Sequence, residues 1–258
     1  MNAINHAATA LLINRKWPGV PIGPVLIAVQ LVEFLWVAFN LLGVEVTTTE
    51  PQVKALNDIH LAHMPWSHSM ASTVLLAVLV WWVTSKLLHN PYWGIALGAA
   101  VASHIVLDLA THVNDIAIIP GITTSKFGLS LYSAPLLALC VETLYGICCW
   151  WIFRGTRALL AVIILLNLAT LSFYSATIPG PEQLLAGKTQ VFAAAVGVHI
   201  LIGLLLVGLF ARPNWRMSES TVEFTPMAYD QELQESEPAS AETGVRSQVP
   251  QILRKIKL

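Results

Sequence analysis

Residues 103–115 read Ser-His-Ile-Val-Leu-Asp-Leu-Ala-Thr-His-Val-Asn-Asp, so His104, Asp108, His112 and Asp115 recur at offsets of four, four and three. On a helix turning about 100° per residue, these four fall within an arc of roughly 80° and make one polar stripe. A histidine and a carboxylate four apart meet on one face and can ligate one metal ion, or two adjacent ions. His104 and Asp108 lie within or at the edge of an apolar run, where an unpaired charge costs roughly 3 kcal/mol. A function is therefore expected of them, whereas His112 and Asp115 suit a helix end emerging into water equally well. A second group, His60, His63, Met64, Pro65, Trp66, Ser67, His68 and Ser69, precedes another apolar run. Pro65 blocks helix before it, and Ser67 is a plausible N-cap that leaves His68 in the first helical turn. His68 is the strongest ligand candidate of this group and His63 the next, while His60 reads as a headgroup-level residue.

The elements that must hold these residues are membrane helices. Of 258 residues, 55% are hydrophobic and only 11% charged, which does not describe a water-facing shell. Apolar windows of about 20 residues, long enough to cross a bilayer as a helix, fall at 22–44, 70–88, 92–111, 129–153, 157–177 and 191–211. A shorter one spans 3–14. The expected fold is all-α, a polytopic bundle of six spans over residues 1–212, with a short seventh helix at the N-terminus. Pro and Gly between the runs mark the helix boundaries. No basic leader or A-x-A site precedes the first run, so no cleaved signal peptide is expected.

Arg15 and Lys16, Lys86, Arg154 and Arg157, and Arg212 and Arg216 occupy alternate ends of the runs. Short cytoplasmic loops hold such an excess, which puts this end inside and loops 45–69, 112–128 and 178–190 outside. From Met217 onward the chain turns to Ser, Glu, Gln, Thr and Pro, so 213–258 reads as a cytoplasmic, largely disordered tail. A net charge of -1 without a basic stripe gives no footprint for nucleic acid. Three cysteines inside one apolar run have neither metal-finger spacing nor a paired framework.

Counting about 1.5 Å per residue from the basic end, Glu33, His104, Glu142, Asn167 and His199 each stand roughly 15 to 20 Å up, at one depth. If residues 3–14 form a helix ending at Arg15, His6 reaches the same height. Such groups are tolerable in a membrane when they face one another around a cavity, an ion or water. Helix-to-helix hydrogen bonding that only fixes packing is the alternative.

Taken in order, His6, Gln30-x-x-Glu33-x-x-Trp36, His63-Met64-Pro65-Trp66-Ser67-His68-Ser69 and Ser103-His104-x-x-x-Asp108-x-x-x-His112-x-x-Asp115 resemble a bacterial family of membrane-bound metal-dependent hydrolases. Gly128-Leu129-Ser130-Leu131-Tyr132 and Glu142 are similar to that family's next segment, so the likeness covers roughly residues 1–150. Many relatives have Asp where this chain has Glu33, a longer carboxylate that can still ligate. The resemblance implies a hydrolase at the outer face of a bacterial inner membrane, acting on an ester or phosphoester, with a lipid or other amphipathic molecule as substrate. Its cofactor is expected to be one or two divalent ions, with zinc favoured by a His and carboxylate set. His6, His68, His104 and Asp108 are the expected ligands, then His63; Glu33, a further ligand candidate, or Asp115 would take the proton of the attacking water. Gln30, Ser67, His112 and Glu142 complete the polar site. The competing reading is a carrier or proton path built on Glu33, His104, Glu142 and His199.

Overall fold

The computed structural model describes residues 1–120, 122 and 125–212. Helix α1, Ala3–Lys16, carries polar residues that lipid would not accept, and they decide its place: every residue from Ile4 to Leu11 is buried. It packs against the helices at 22–29, 91–111, 135–153, 157–168 and 189–210. Thr9 shares a hydrogen bond with Tyr145, and Asn14 donates to the Val20 carbonyl. At about 21 Å long, α1 falls short of a hydrocarbon core of about 30 Å.

The single span expected at 22–44 is two helices, α2 (Ile22–Val29) and α3 (Leu31–Leu41), bent by 50°. The break falls at Gln30, whose φ of −106° and ψ of 4° lie outside the helical region. Its side-chain amide donates to the Ala3 carbonyl at 2.6 Å, so the bend is tied to the start of α1. Helix α4, Met70–Lys86, is capped by Ser69, which accepts from the Ser72 amide; Ser67, the expected cap, is engaged elsewhere. Helix α5, Pro91–Thr111, starts on an Asn90 cap with proline in the first turn.

Helix α6, Pro135–Phe153, begins later than the window at 129, after Ser130 in the left-handed region (φ 59°) and a 3₁₀ turn at Leu131–Ser133. Helix α7, Arg157–Leu168, stops short of 177. Asn167 there donates to the Ile163 carbonyl and Thr170 to the Asn167 carbonyl, so side chains compete for the backbone groups that would extend the helix. A 3₁₀ turn at Leu171–Tyr174 and the one-turn helix α8, Pro181–Leu184, lead into α9, Thr189–Phe210.

The all-α expectation needs correction at two short antiparallel ladders. Strand β1 (Val46–Thr49) pairs with β2 (Ile59–His63), and β3 (Ile116–Ala117) with β4 (Lys126–Phe127). The β-branched run Val46-Thr47-Thr48-Thr49 favours extended backbone as soon as the apolar run has ended.

Three helices, α5, α6 and α9, are long and apolar enough to cross a membrane, and the bent pair α2–α3 makes a fourth. Six spans are reached only if the shorter apolar helices α4 and α7 cross as well. Large apolar side chains stand outward on these helices, among them Leu75 and Leu79 on α4, Leu136 and Leu144 on α6, Leu165 on α7, and Leu201 and Leu205 on α9. An apolar exterior over a core of Leu11, Val25, Val29, Val101, Phe153, Leu159 and Ile163 is the pattern of a membrane protein. The tail expected over 213–258 lies outside the described residues.

Candidate metal centre

Asp108, wholly buried on α5, is the hub of the site. Its Oδ2 lies 3.1 Å from His104 Nε2 and 3.8 Å from His68 Nε2, and Glu33 Oε1 lies 3.7 Å from each of those nitrogens. A tetrahedral zinc site with bonds of 2.0–2.1 Å has ligand atoms about 3.3 Å apart, so each of these contacts is near coordination spacing, with Glu33 and Asp108 both approaching the His68 and His104 nitrogens. Asp108 Oδ1 faces the other way, 3.3 Å from His6 Nε2 and 2.8 Å from the Met1 nitrogen, with His112 Nε2 at 4.0 Å. His6, His104 and Asp108 form one potential ligand trio, and Glu33, His68 and His104 a second that shares His104. His104 Nε2 and Asp108 Oδ2 are buried without hydrogen-bond partners. Buried polar atoms are normally satisfied, and these two, 3.1 Å from each other, are a donor pair that could hold a cation.

The second ring nitrogens are held in the tautomer that ligation needs. His104 Nδ1 is 2.9 Å from the Val29 carbonyl, which can only accept, so the proton sits on Nδ1 and Nε2 offers its lone pair. That carbonyl is in the last turn of α2, left over by the break at Gln30. On His68 the same result comes through a relay. Glu45, wholly buried in the loop after α3, accepts from the Trp66 and Ser67 amides at 2.8 Å each and from the Ser67 hydroxyl. Ser67 Oγ, having spent its proton on Glu45, accepts from His68 Nδ1 at 2.8 Å. Burial disfavours a charged His68, but Glu33 beside it, with Asp108 and Glu45 further away, outweighs burial and raises its pKa. The His6 ring stacks on His104 at 3.9 Å and 11°.

The arrangement departs from the expectation at several residues. His63 is exposed on β2 opposite Val46, and His60 meets Glu50 at the surface, so neither reaches the cluster. The hairpin turns both away, and sequence proximity to His68 does not survive the Pro65-Trp66 corner. His68 precedes α4 rather than lying in its first turn. Helix α5 ends at Thr111, so the stripe is interrupted, and Asp115 returns to His112 Nδ1 at 3.4 Å without belonging to either ligand trio.

Gly128 allows this ending. A side chain there would collide with the His112 and Val113 carbonyls, and the following Leu129 and Ser130 amides cap the Leu109 and His112 carbonyls.

The polar residues expected in one layer form two hydrogen-bonded groups that adjoin at the start of α1, where the Met1 nitrogen pairs with Asp108 and the Asn2 amide with Glu142. Glu142, wholly buried on α6, accepts from the Asn2 amide at 2.9 Å and from Asn5 Nδ2 at 2.8 Å, and Asn5 also donates to Asn167. Tyr132, outside the helices, has its pKa pushed well above 10 by burial and then by Glu142, so its phenol stays protonated. Glu142 therefore holds α1 rather than joining the imidazoles. Gln30 serves the bend, and His199 belongs to neither ligand trio.

A chamber of about 280 Å³ opens beside the cluster. Its lining includes Glu33, His68, His112 and Asp115, together with Trp36, Phe173, Tyr174, Phe192, His199 and Glu182. Along α1, α4, α5 and α6 the cluster and chamber residues lie toward the helix ends opposite Arg15 and Lys16, Lys86, Asn90 and Arg154. Two contributors went unread in the sequence, Glu45 and the Met1 nitrogen; a lone loop carboxylate and a chain end give no periodic signal. Comparison with protein families, with characterised proteins and with solved structures finds no match for this chain.

Proposed function

We propose that the chain is a metal-dependent hydrolase of the bacterial inner membrane, with its site near the extracytoplasmic surface and six crossing elements, α2–α3, α4, α5, α6, α7 and α9, around α1. The observation that carries this reading is the pair of bare buried atoms, His104 Nε2 and Asp108 Oδ2, standing with His68 Nε2 and Glu33 Oε1 at coordination spacing. The order of the motifs supports the same assignment, and the segregation of Lys and Arg to the far helix ends supports the orientation.

His68, His104, Asp108 and Glu33 would hold a divalent ion, with His6 on the second oxygen of Asp108. Imidazole and carboxylate together favour zinc. Such an ion supplies Lewis acidity and a water acidified to near neutrality, the chemistry of ester and phosphoester hydrolysis. His112, which lines the chamber, is the proton acceptor: Asp115 accepts from its Nδ1–H and so leaves the Nε2 lone pair, 4.0 Å from Asp108 Oδ1, free to take a proton. The mostly apolar wall of the chamber keeps bulk water from the reacting bond and suits the chain of an amphipathic substrate. A carrier that relayed protons along one layer would need Glu142 and His199 beside His104; neither belongs to a ligand trio with it, and Glu142 is engaged by Asn2 and Asn5.

The test is elemental analysis of the protein purified in neutral detergent. One or two equivalents of zinc are expected, lost in both His68→Ala and His104→Ala; a metal-free wild type overturns the reading.

A further inference from the structure

Glu182 is 1% exposed, opens α8 and lines the chamber. One carboxylate oxygen accepts from the Ser172 hydroxyl at 3.1 Å. The other, Oε1, is buried with no partner. Among the described residues no Lys or Arg lines the chamber, and the Met1 ammonium that does is paired with Asp108 at 2.8 Å rather than with this carboxylate. A buried carboxylate with a bare oxygen is costly unless something else neutralises it. Gly180 makes the position obligatory, because a side chain at that residue would collide with Ser172 Oγ and with both oxygens of Glu182.

Phe173, next in the chain to Ser172, and Phe192, which packs with Phe173 and Leu185, line the same chamber. Trp36 and Tyr174 line it nearer the imidazoles, Trp36 edge-on to His68 at 6.5 Å and Tyr174 beside Tyr132 at 6.3 Å. Aromatic faces carry negative charge density, and a carboxylate that shares a chamber with them is the arrangement that receives an ammonium group. A phosphate or free carboxylate would be repelled by Glu182.

We propose that the part of the chamber around Glu182 is a subsite for an ammonium group, so that the molecule bound here carries an amine at one point and its reacting ester at another. The proposal rests on the hydrolase reading for the second half of that sentence and on Glu182 and the rings for the first. Wild-type protein in dodecyl maltoside is titrated calorimetrically with dihexanoyl phosphatidylcholine, dihexanoyl phosphatidylglycerol and choline chloride, and zinc is assayed in the same preparation. The choline lipid is expected to bind at least tenfold tighter than the glycerol lipid. Glu182→Gln should erase that preference while leaving the glycerol lipid unchanged, and Phe173→Leu should weaken the choline lipid at least threefold.

Equal affinity for choline and its lipid assigns a free amine to the subsite; a tenfold gain for the lipid assigns a headgroup. A wild type with no preference for the ammonium lipid, or a preference that survives Glu182→Gln, overturns the proposal. Should Glu182→Gln not purify as a monodisperse protein, the wild-type comparison and Phe173→Leu decide. Zinc without ammonium selectivity removes the subsite alone, and selectivity without zinc removes the hydrolase alone.

Discussion

Replacing Ser67 by alanine removes one oxygen that touches no ligand atom of the proposed centre, and the structure says what should follow. Glu45 loses one of three donors but keeps the Trp66 and Ser67 amides at 2.8 Å, so the loop retains its anchor. His68 loses the acceptor that Nδ1 has among the described residues. A buried donor left unpaired costs about 1–3 kcal/mol, which is the expected loss of metal-free stability. The ring also becomes free to change tautomer or rotate, and loss of such an outer partner lowers metal affinity about 10- to 100-fold. At saturating zinc that change removes about 1.4–2.7 kcal/mol of ligand-conferred stability in addition. The assay is competition against a chromophoric chelator in dodecyl maltoside, with thermal unfolding recorded in zinc and in a chelator. Ser67→Thr, which keeps the hydroxyl, should restore most of the affinity. A Ser67→Ala protein that binds zinc within twofold of wild type would show that His68 is not held by this relay and refute the tautomer argument.

Three further outcomes follow from the same geometry. His63→Ala should leave zinc content and melting temperature unchanged, because the side chain is exposed on β2; a loss of metal would mean that the hairpin folds inward on binding. Zinc affinity should rise with pH up to the raised pKa of His68 and then level off, since its proton must leave before Nε2 can ligate; direct titrations between pH 6 and 9 measure this. The sign reverses for the metal-free fold, in which the contribution of charged His68 is full below its ordinary value of about 6.5 and disappears as pH rises through the raised one. Glu142→Gln should destabilise the protein by about 1–3 kcal/mol through the Asn2 and Asn5 contacts, yet lower zinc affinity less than tenfold; parallel unfolding and chelator competition would separate the two.

Periodicity carried the reading of His104 and Asp108, because a four-residue offset on a helix fixes both height and azimuth. Depth counting grouped Glu33 and His6 with His104, and the structure brings both to the cluster. For Glu142 the count gives height along a span but not the direction a side chain takes around the bundle, and its carboxylate is engaged by Asn2 and Asn5. His63 and Glu45 were misread and unread for one reason. Both belong to the segment from 43 to 67, where a hairpin and a turn decide positions and no helical or strand period exists to count. The bend at Gln30 was equally hidden, since an apolar run of sufficient length looks the same whether it is straight or broken. The two ladders were missed because strands of two to five residues are too short to leave a pattern.

The burial of α1 bears on how the protein is made. This helix is ahead of its companions in the chain, yet Glu142 and Asn167, which receive its asparagines, follow more than 130 residues later. Until they are synthesised, the Asn5 amide lacks these partners, and hydrocarbon is a poor place to wait. The segment must therefore linger at the membrane surface or inside the insertion machinery and slot home last. Assembly of the imidazole centre, which needs His6 and the Gln30 bridge to Ala3, becomes a closing event of biogenesis, and a chain truncated before α6 would be left with a helix that has nowhere to go.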